Sequence, residues 1–202
     1  ITSGSNAEAI DPIRILTNRA SGKTGLALAL EAWRRGAEVV LVHRFLLELP
    51  VRQVYAGSAA EMLDAVMAEV EKGCHVLISA AAVADYTLDR QAEKIKSGQD
   101  LSLHLTPTPK IIKKVREAYP ELKIVGFKAE TDLGDEELIQ RAEESMQCAH
   151  LDLMVANDVS RGGMGTDDNR VIIIDRQGRR TEAAGQKSLI AEAIIDALVE
   201  AL

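Results

Sequence analysis

The first 25 residues contain two short segments whose residue types are suited to binding an anion. Residues 1–6 read Ile-Thr-Ser-Gly-Ser-Asn, and residues 18–25 read Asn-Arg-Ala-Ser-Gly-Lys-Thr-Gly. Glycine and small hydroxyl residues let a ligand approach the backbone closely. A helix that begins inside the second segment would add free N–H groups and a partial positive charge. The two segments therefore predict a nucleotide or phosphate site that the rest of the chain completes.

Neither segment matches the two commonest nucleotide-binding motifs. The run Ser-Gly-Lys-Thr at 21–24 lacks the glycine that a Walker A loop has five residues before Gly22, because Thr17 stands there. No glycine follows Gly4 until Gly22, so the Gly-x-Gly-x-x-Gly dinucleotide fingerprint is absent as well. Ser21 and Gly22 can still begin a helix, either as a phosphate-binding terminus or as a plain cap, and spacing alone does not separate these alternatives.

Other candidate side chains are isolated in the sequence. Asn18 can orient an acyl or phosphoryl oxygen or simply form a turn, while Asp85 and Lys94 can be ordinary solvated loop residues. The four histidines lack metal-ligand spacing, so no metal site formed by protein side chains is predicted. The sequence also lacks the Gly-x-Ser-x-Gly elbow of a serine nucleophile, so covalent catalysis is not indicated.

Arg44 follows the second predicted strand, where NADP enzymes place a residue that reads the 2′-phosphate. A solvated arginine at a strand end is the commoner explanation. This residue keeps an NADP-dependent reductase as the alternative function.

Composition limits the class of protein. The chain has 202 residues, 47% of them hydrophobic, which is enough for a single domain over residues 1–202 with a sizeable core. A net charge of −7 and 3% aromatic residues argue against nucleic acid as a partner. No apolar run is long enough to span a membrane, and no secretory signal is evident. Two cysteines without metal-like spacing predict buried thiols in a reducing cytoplasm.

Strands alternate with helices along the chain, which predicts an α/β fold with a doubly wound, Rossmann-like, mostly parallel sheet flanked by helices. Apolar runs predict strands at the N-terminus and at 38–43, 51–55, 76–82, 101–105, 122–127 and 151–156, with a β-hairpin formed by 170–175 and 179–183. Helices are predicted over 22–35, after a capping box at Ser58 and Glu61, from an N-cap at Thr108, over 135–147, and over the C-terminal residues from 189.

Apolar stripes predict which helix faces are buried. The first helix should bury Leu26, Ala29, Leu30 and Trp33, and the last should bury a stripe that includes Leu189, Ile190, Ile194 and Leu198. In open α/β sheets, ligands bind outside the carboxyl ends of the strands. The loop at Gly4, the small-residue loop that ends at Asp85 and the turn at 127–131 should therefore meet at one site.

Eight segments resemble a known family in the same order across the chain: residues 1–4, 11–14, 18–25, 80–86, 93–96, 126–131, 151–160 and 163–170. On these segments the sequence resembles phosphopantothenate–cysteine ligase of coenzyme A biosynthesis. In bacteria and archaea this enzyme is commonly fused to a flavin-dependent decarboxylase. Such a fusion would also explain a chain that begins inside a strand.

The resemblance implies a two-step reaction. CTP, with Mg²⁺, activates the carboxylate of 4′-phosphopantothenate as an acyl-cytidylate and releases pyrophosphate. The amine of L-cysteine then displaces CMP to form the amide. The resemblance further implies a homodimer. A non-catalytic nucleotide-binding domain of a fusion protein remains a third possibility.

The resemblance also implies roles for individual residues. Asn18 is expected to bind the acyl intermediate, and Lys94, on a mobile flap, to serve the activation step. The nucleotide-binding set is Gly4, Ser21, Gly22, Gly25, Asp85, Lys94, Phe127 and Lys128, and the substrate-binding set is Asn18, Ala81, Ala82 and Asp85.

One departure from the family pattern concerns the nucleotide. The helix predicted over 135–147 and the residues just after it lack two lysines that contact the triphosphate in bacterial members, because Ser145 and Ala149 stand there. Lys128 replaces a usual alanine, and we hypothesise that it compensates. The choice between CTP and another triphosphate therefore stays open.

Overall fold

The structure is a computed structural model that describes residues 1–45, 47–162 and 165–202. Two residues of the segment 163–170, which carries part of the family resemblance, lie outside this range. The helices are α1 (Lys23–Arg34), α2 (Ala59–Glu71), α3 (Ile111–Ala118), α4 (Asp135–Cys148) and α5 (Lys187–Glu200). The strands are β1 (Ala7–Ala9), β2 (Ile15–Thr17), β3 (Val40–His43), β4 (Arg52–Tyr55), β5 (Val76–Ser79), β6 (Tyr86–Thr87), β7 (Thr106–Pro107), β8 (Lys123–Glu130), β9 (Leu153–Asp158), β10 (Asp168–Asp175) and β11 (Arg180–Gln186).

The main sheet has the order β4, β3, residues 1–3, β5, β8, β9, β10, β11. The opening residues join it because Thr2 forms parallel bridges to Val42 of β3 and to Ser79 of β5. Neighbours from β4 to β9 are parallel, whereas β10 runs antiparallel to both β9 and β11. The predicted doubly wound, mostly parallel sheet with a C-terminal hairpin is confirmed.

The strand order reverses between the opening residues and β5. The chain first moves outward through β3 and β4, then crosses to β5 and continues in the other direction. Such a reversal leaves a crevice between the two loops that follow the central strands, and ligands of doubly wound folds bind there. In this chain the crevice lies between the loop at Gly4 and the loop that starts at Ala80.

Helices cover both faces of the sheet. On one face, α1 and α5 pack on a core that includes Leu28, Leu41 and Ile194, all fully buried. On the other face, α2, α3 and α4 contribute to a core that includes Met62 and Ile124. Burial of each such side chain stabilises the fold by about 1.5–3 kcal/mol. The predicted capping box of α2 is present, with both Ser58–Glu61 hydrogen bonds made.

The predicted inner faces of two helices were partly wrong. In α1 the buried residues are Gly25, Leu28, Ala29 and Ala32, whereas Trp33 is 48% exposed. In α5, Leu189 is 56% exposed, and the buried positions include Ala191 and Ile195 beside the predicted residues. Both helices are rich in alanine and leucine on several faces, so their patterns do not single out one stripe.

Two local predictions between 101 and 110 were wrong. Residues 101–105 are exposed and form no strand, and only Thr106–Pro107 pairs, with β6. Thr108 does not cap a helix, because its hydroxyl donates to the carbonyl of Ala84. The helix α3 instead begins at Ile111, after Lys110. A tertiary contact thus takes the side chain that local sequence assigned to the cap.

The two cysteines are free, as predicted, but Cys74 and Cys148 are exposed rather than buried. Cys74 lies just after α2, and Cys148 is the last residue of α4. At the end of a surface helix, a side chain can stay exposed. None of the helices that the structure describes has the length and apolarity needed to cross a membrane.

Candidate active site

A pocket lies in the crevice where the strand order reverses. It brings together residues from the opening loop, the start of α1, the loop after β5, the ends of β8 and β9, and the start of α5. Its lining includes Gly4, Ser21, Gly22, Lys23, Gly25, Ala81, Ala82, Phe127, Asn157, Asn169 and Lys187. The three segments that the sequence assigned to one site therefore converge.

Glycines line part of the pocket, where the lack of a side chain leaves the backbone open to a ligand. Gly4 and Gly22 have φ values of +76° and +81°, a region that favours glycine. A Cβ at Gly25 would lie 2.5 Å from the Ser3 hydroxyl and 3.0 Å from its Cα, so the start of α1 can pack on the opening strand only with glycine there. The Ser3 hydroxyl also donates to the Gly22 carbonyl at 2.9 Å. The helix terminus is thereby held against the opening loop.

The N-terminus of α1 points its N–H groups at the pocket. Its N-cap is Gly22, and no side chain caps it, so Ser21 is not a plain helix cap. Within the described chain, the backbone N–H groups of Lys23, Thr24 and Gly25 have no acceptor, although all three residues line the pocket. Free N–H groups and the helix dipole suit a phosphate at this position. The phosphate-binding alternative is therefore favoured over plain capping.

Asn18 lies next to the pocket. Its side-chain nitrogen donates to the carbonyls of Ala82 at 3.0 Å and Val83 at 3.3 Å. The same loop is joined to the opening segment, since the Ala82 N–H donates to the Gly4 carbonyl at 2.8 Å and the Ala84 N–H donates to the Asn6 side chain. These bonds fix Asn18, Ala81 and Ala82 relative to Gly4.

Phe127 and Lys128 lie on opposite sides of β8. Phe127 and Ala129 line the pocket, and successive side chains of a strand alternate between its faces. The ammonium of Lys128 forms an ion pair with Glu130 at 3.1 Å and is not among the lining residues. Its compensating role remains a hypothesis that this arrangement does not favour.

Asp85 and Lys94 lie outside the pocket lining. The carboxylate of Asp85 pairs with Lys110, and both side chains are exposed. Lys94 is exposed in the long segment between β6 and β7. The roles that the resemblance implies for these two residues remain predictions.

The segment that carries Lys94 is hydrogen-bonded to the turn between β1 and β2. The N–H of Ile95 donates to Asp11, and the carbonyl of Ile95 accepts from Arg14 at 3.1 Å. Burial opposes the ionisation of Asp11, but N–H donors from Ile13, Arg14 and Ile95 outweigh it and lower the pKa of Asp11 to about 2. This anchor is therefore ionised throughout the neutral range.

Sequence reasoning assigned no role to Asn157, Asn169 or Lys187, which also line the pocket. The two asparagines lie at the end of β9 and the start of β10. Only Asn157 lies at the carboxyl end of a parallel strand, and that position marks it in the sequence as a candidate site residue. Lys187 is the first residue of α5, where the helix dipole disfavours a cation, and that anomaly is the signal that was overlooked.

The strand order reverses at the pocket, and glycines line the pocket. These features define a Rossmann-like α/β domain with a ligand site at its topological switch point. The whole chain, residues 1–202, matches the family model described as DNA/pantothenate metabolism flavoprotein C-terminal domain. The chain belongs to this family.

Curated relatives support the assignment. The coenzyme A biosynthesis bifunctional protein CoaBC of Thermococcus kodakarensis is 42% identical over 207 residues, covering 100% of this chain and 51% of that protein. The protein of the same name from Methanocaldococcus jannaschii is 34% identical, covering 97% of this chain and 49% of that protein. The chain thus spans about half the length of the curated relatives it matches.

Solved structures show the same fold. The DNA/pantothenate metabolism flavoprotein from Streptococcus pneumoniae superposes with a TM-score of 0.85 at 26% identity, covering 98% of this chain and 96% of that chain. A structure of the C-terminal domain of CoaBC gives a TM-score of 0.79 at 30% identity, with 98% and 91% coverage.

Proposed function

We propose that this domain joins 4′-phosphopantothenate to L-cysteine, using CTP to form an acyl-cytidylate. The observation that carries the proposal is the pocket at the switch point, where the free N–H groups of α1 face the loop fixed by Asn18, in a chain whose relatives are named as coenzyme A biosynthesis proteins. In this proposal the pocket binds the nucleotide phosphates, and the Asn18 amide next to it orients the acyl group.

In the first step, a carboxylate oxygen of phosphopantothenate attacks the α-phosphorus of CTP. The new bond is an acyl–phosphate anhydride, and the bond to the β-phosphate breaks, so pyrophosphate leaves with its electron pair. Both reactants are anions, and their approach requires neutralisation of charge. The N–H groups at the start of α1 and the lysines in the pocket supply part of it.

In the second step, the neutral amine of cysteine attacks the acyl carbon, and CMP leaves with the electron pair of the broken C–O bond. The amine loses one proton to solvent as the amide forms. This step needs the anhydride held rigidly and the attacking nitrogen aligned. We assign this role to Asn18, whose side chain is held by two carbonyls of the adjacent loop.

Magnesium fits this site as a companion of the triphosphate. No cluster of three or more His, Cys, Asp or Glu that could hold a metal occurs in the residues the structure describes. Mg²⁺ is commonly bound through substrate phosphates with several waters rather than in a protein cage. When bound there it supplies charge neutralisation to the triphosphate.

The reductase alternative is not supported. The relatives are CoaBC proteins, and the guanidinium of Arg44 lies 4.6 Å from the ring centroid of Phe45. A non-catalytic nucleotide-binding domain would bind CTP without releasing pyrophosphate, so the next experiment separates it from the ligase.

The ligase proposal predicts pyrophosphate release that depends on phosphopantothenate. With each nucleoside triphosphate tested in turn, CTP should support release about tenfold faster than ATP, GTP or UTP. Addition of cysteine should then yield CMP and the amide in equal amounts. Release in the absence of phosphopantothenate, or binding of CTP without release, would contradict the proposal. Stabilisation by NADPH but not by CTP with Mg²⁺ in a thermal-shift panel would favour the reductase.

We further propose that the protein is a homodimer. Six of the exposed apolar side chains lie in the β1–β2 hairpin, in β6 and in the segment between β6 and β7. They are Ile13, Ile15, Tyr86, Leu101, Leu103 and Leu105, each at least 39% exposed. Exposed apolar patches mark interaction sites, and we propose that these side chains belong to one. The alternating leucines of 101–105 suit a strand that pairs between subunits.

Replacing Leu103 and Leu105 with serine should convert the dimer into a monomer. Light scattering should give a mass near twice 21.9 kDa for the parent protein and near 21.9 kDa for the variant. Leu189→Ser, on an exposed position of α5, is the matched control and should stay dimeric. A parent protein that is monomeric at micromolar concentration would rule out the proposal.

The full-length protein is proposed to carry a second domain. The relatives are named bifunctional and are about twice as long as the matched region. We propose a flavin-dependent decarboxylase as that domain, acting on the ligase product, with the whole protein in the cytoplasm.

A further inference from the structure

Lys187 is a buried cation at the edge of the pocket. It is the first residue of α5, is 6% exposed and lines the pocket together with Gly4 and Gly22. Its ammonium donates to the carbonyl of Thr166. Lysine is seldom buried to this degree, since removing an ammonium from water is costly. Its position therefore calls for an explanation beyond packing.

Two features of the surroundings of Lys187 disfavour a positive charge on its side chain. The first turn of a helix carries partial positive charge, which disfavours a cation there. Burial and then the nearby charge of Lys23 lower the pKa of Lys187, while Asp167 acts in the opposite direction. Like charges kept close together in a crevice are typical of sites that bind an anion.

Lys23 reaches the same region from α1. Its ammonium forms an ion pair with Asp167 at 2.6 Å and lies 3.4 Å from the carbonyl of Gly165. The Lys187 N–H donates to the Asp167 carbonyl, so one short segment contacts both lysines. Among the described residues that line the pocket, these two lysines are the cationic ones.

The other candidate cations are less suitable. Lys128 pairs with Glu130 on the far side of β8. Helix α4 contains no lysine, and its first turn is acidic, with Asp135, Glu136 and Glu137. If a triphosphate binds with its α-phosphate near the Asn18 loop, its β- and γ-phosphates therefore lie on the side of the pocket that holds Lys23 and Lys187.

We propose that Lys187 and Lys23 bind the β- and γ-phosphates of the nucleoside triphosphate, with Asp167 holding Lys23 until the nucleotide arrives. This inference rests on the proposed function and names the residues that receive the pyrophosphate leaving group. The α-phosphate belongs to the N–H groups of α1. The two lysines are thus binding residues for the part of the nucleotide that departs.

The test compares ligands that differ only in their phosphates. Calorimetry measures binding of CMP, CTP and inorganic tripolyphosphate to the parent protein and to Lys187→Met. The variant should lose about 10–100-fold in affinity for CTP and for tripolyphosphate, the range of a charge-assisted hydrogen bond, and less than about twofold for CMP. An equal loss for CMP and CTP, or no loss for either, would overturn the assignment.

Two further variants keep the test decisive if Lys187→Met unfolds. Lys187→Arg retains the positive charge and should recover most of the affinity for CTP. If the role of Lys187 were purely structural, retaining the charge would not restore this affinity. Lys23→Gln alters a side chain that is 45% exposed, so folding is not at risk, and should weaken CTP about 5–20-fold with CMP unchanged. Lys114→Gln, on an exposed pair with Glu117, is the control and should bind all three ligands normally.

Failure of the proposed function can be recognised separately. Tripolyphosphate binding depends neither on cytidine nor on ligation, so a domain that binds it through both lysines but releases no pyrophosphate keeps this inference and loses the ligase. A parent protein that binds neither CTP nor tripolyphosphate overturns the inference itself.

Discussion

Replacing Asn18 with alanine should let the acyl-nucleotide form but reduce its conversion to product about 10²–10³-fold, the cost of losing one preorganised group in an active site. Both N–H directions of the Asn18 amide are used by the carbonyls of Ala82 and Val83. Its side-chain oxygen has no partner among the described residues, so it is the atom that can accept from an N–H of the acyl intermediate or of the incoming cysteine. Rapid quenching with labelled phosphopantothenate should show the intermediate accumulating to about one equivalent per site.

The exposed neighbour Arg19 provides the matched control for this experiment, since Arg19→Ala removes a larger side chain from the same loop. That variant should turn over within about threefold of the parent protein. Affinity for CTP should be unchanged in Asn18→Ala, because the nucleotide contacts lie on the start of α1. Prompt turnover by Asn18→Ala, or a loss confined to CTP binding, would remove Asn18 from the second step.

Much of the fold follows from local sequence. The β-branched runs at 40–43 and 76–79 are buried on both faces, as parallel central strands require, and Gly36 ends α1 with a φ of +88°. The hairpin at the C-terminus follows from the apolar strand at 170–175 and the turn at Gly178. These elements are set by neighbours in the chain, so periodicity and turn residues are sufficient to find them.

The failures lie where a partner distant in the sequence decides. Thr108 has the features of a helix cap, yet its hydroxyl binds Ala84, 24 residues earlier. The alternation at 101–105 indicates a strand, but no strand of the described chain pairs with it. In the homodimer proposed above, the strand that pairs with this segment would come from the second subunit.

The site was predictable to the extent that it lies at strand ends. Gly4, Ala81 and Phe127 were each placed there from separate strands, and the structure brings them to one pocket. Lys187 was not, because a lysine before an apolar helix is usually a solvated residue. Only the position of α5 against α1 shows that this lysine meets the Ser21–Gly25 loop.

Replacing Lys94 with alanine should slow pyrophosphate release about 10²-fold, since a cation that meets charge developing on the phosphates acts mainly in the transition state. Lys94 is exposed and outside the pocket lining, while the adjacent Ile95 is held by Asp11 and Arg14. The part of the segment on either side of that anchor is exposed, so closure over a bound nucleotide can bring Lys94 inward without breaking the anchor. Single-turnover release of pyrophosphate measures this step, and capture of the acyl-nucleotide by cysteine should keep its parent rate.

Lys96→Ala separates position from charge, because it removes the same group from the other side of Ile95 and should change release less than about threefold. An equal effect of both substitutions would mean that the segment acts only through its overall charge.

Asp11→Asn tests the anchor itself. The pKa of Asp11 is about 2, so its carboxylate, and with it the Arg14 and Ile95 contacts, is present across the neutral range and is lost only as the pH falls through that value. If the anchor positions Lys94, the Asp11→Asn variant should slow pyrophosphate release, and adding Lys94→Ala to it should cost much less than in the parent protein. Full additivity of the two substitutions would show that Lys94 acts independently of the anchor.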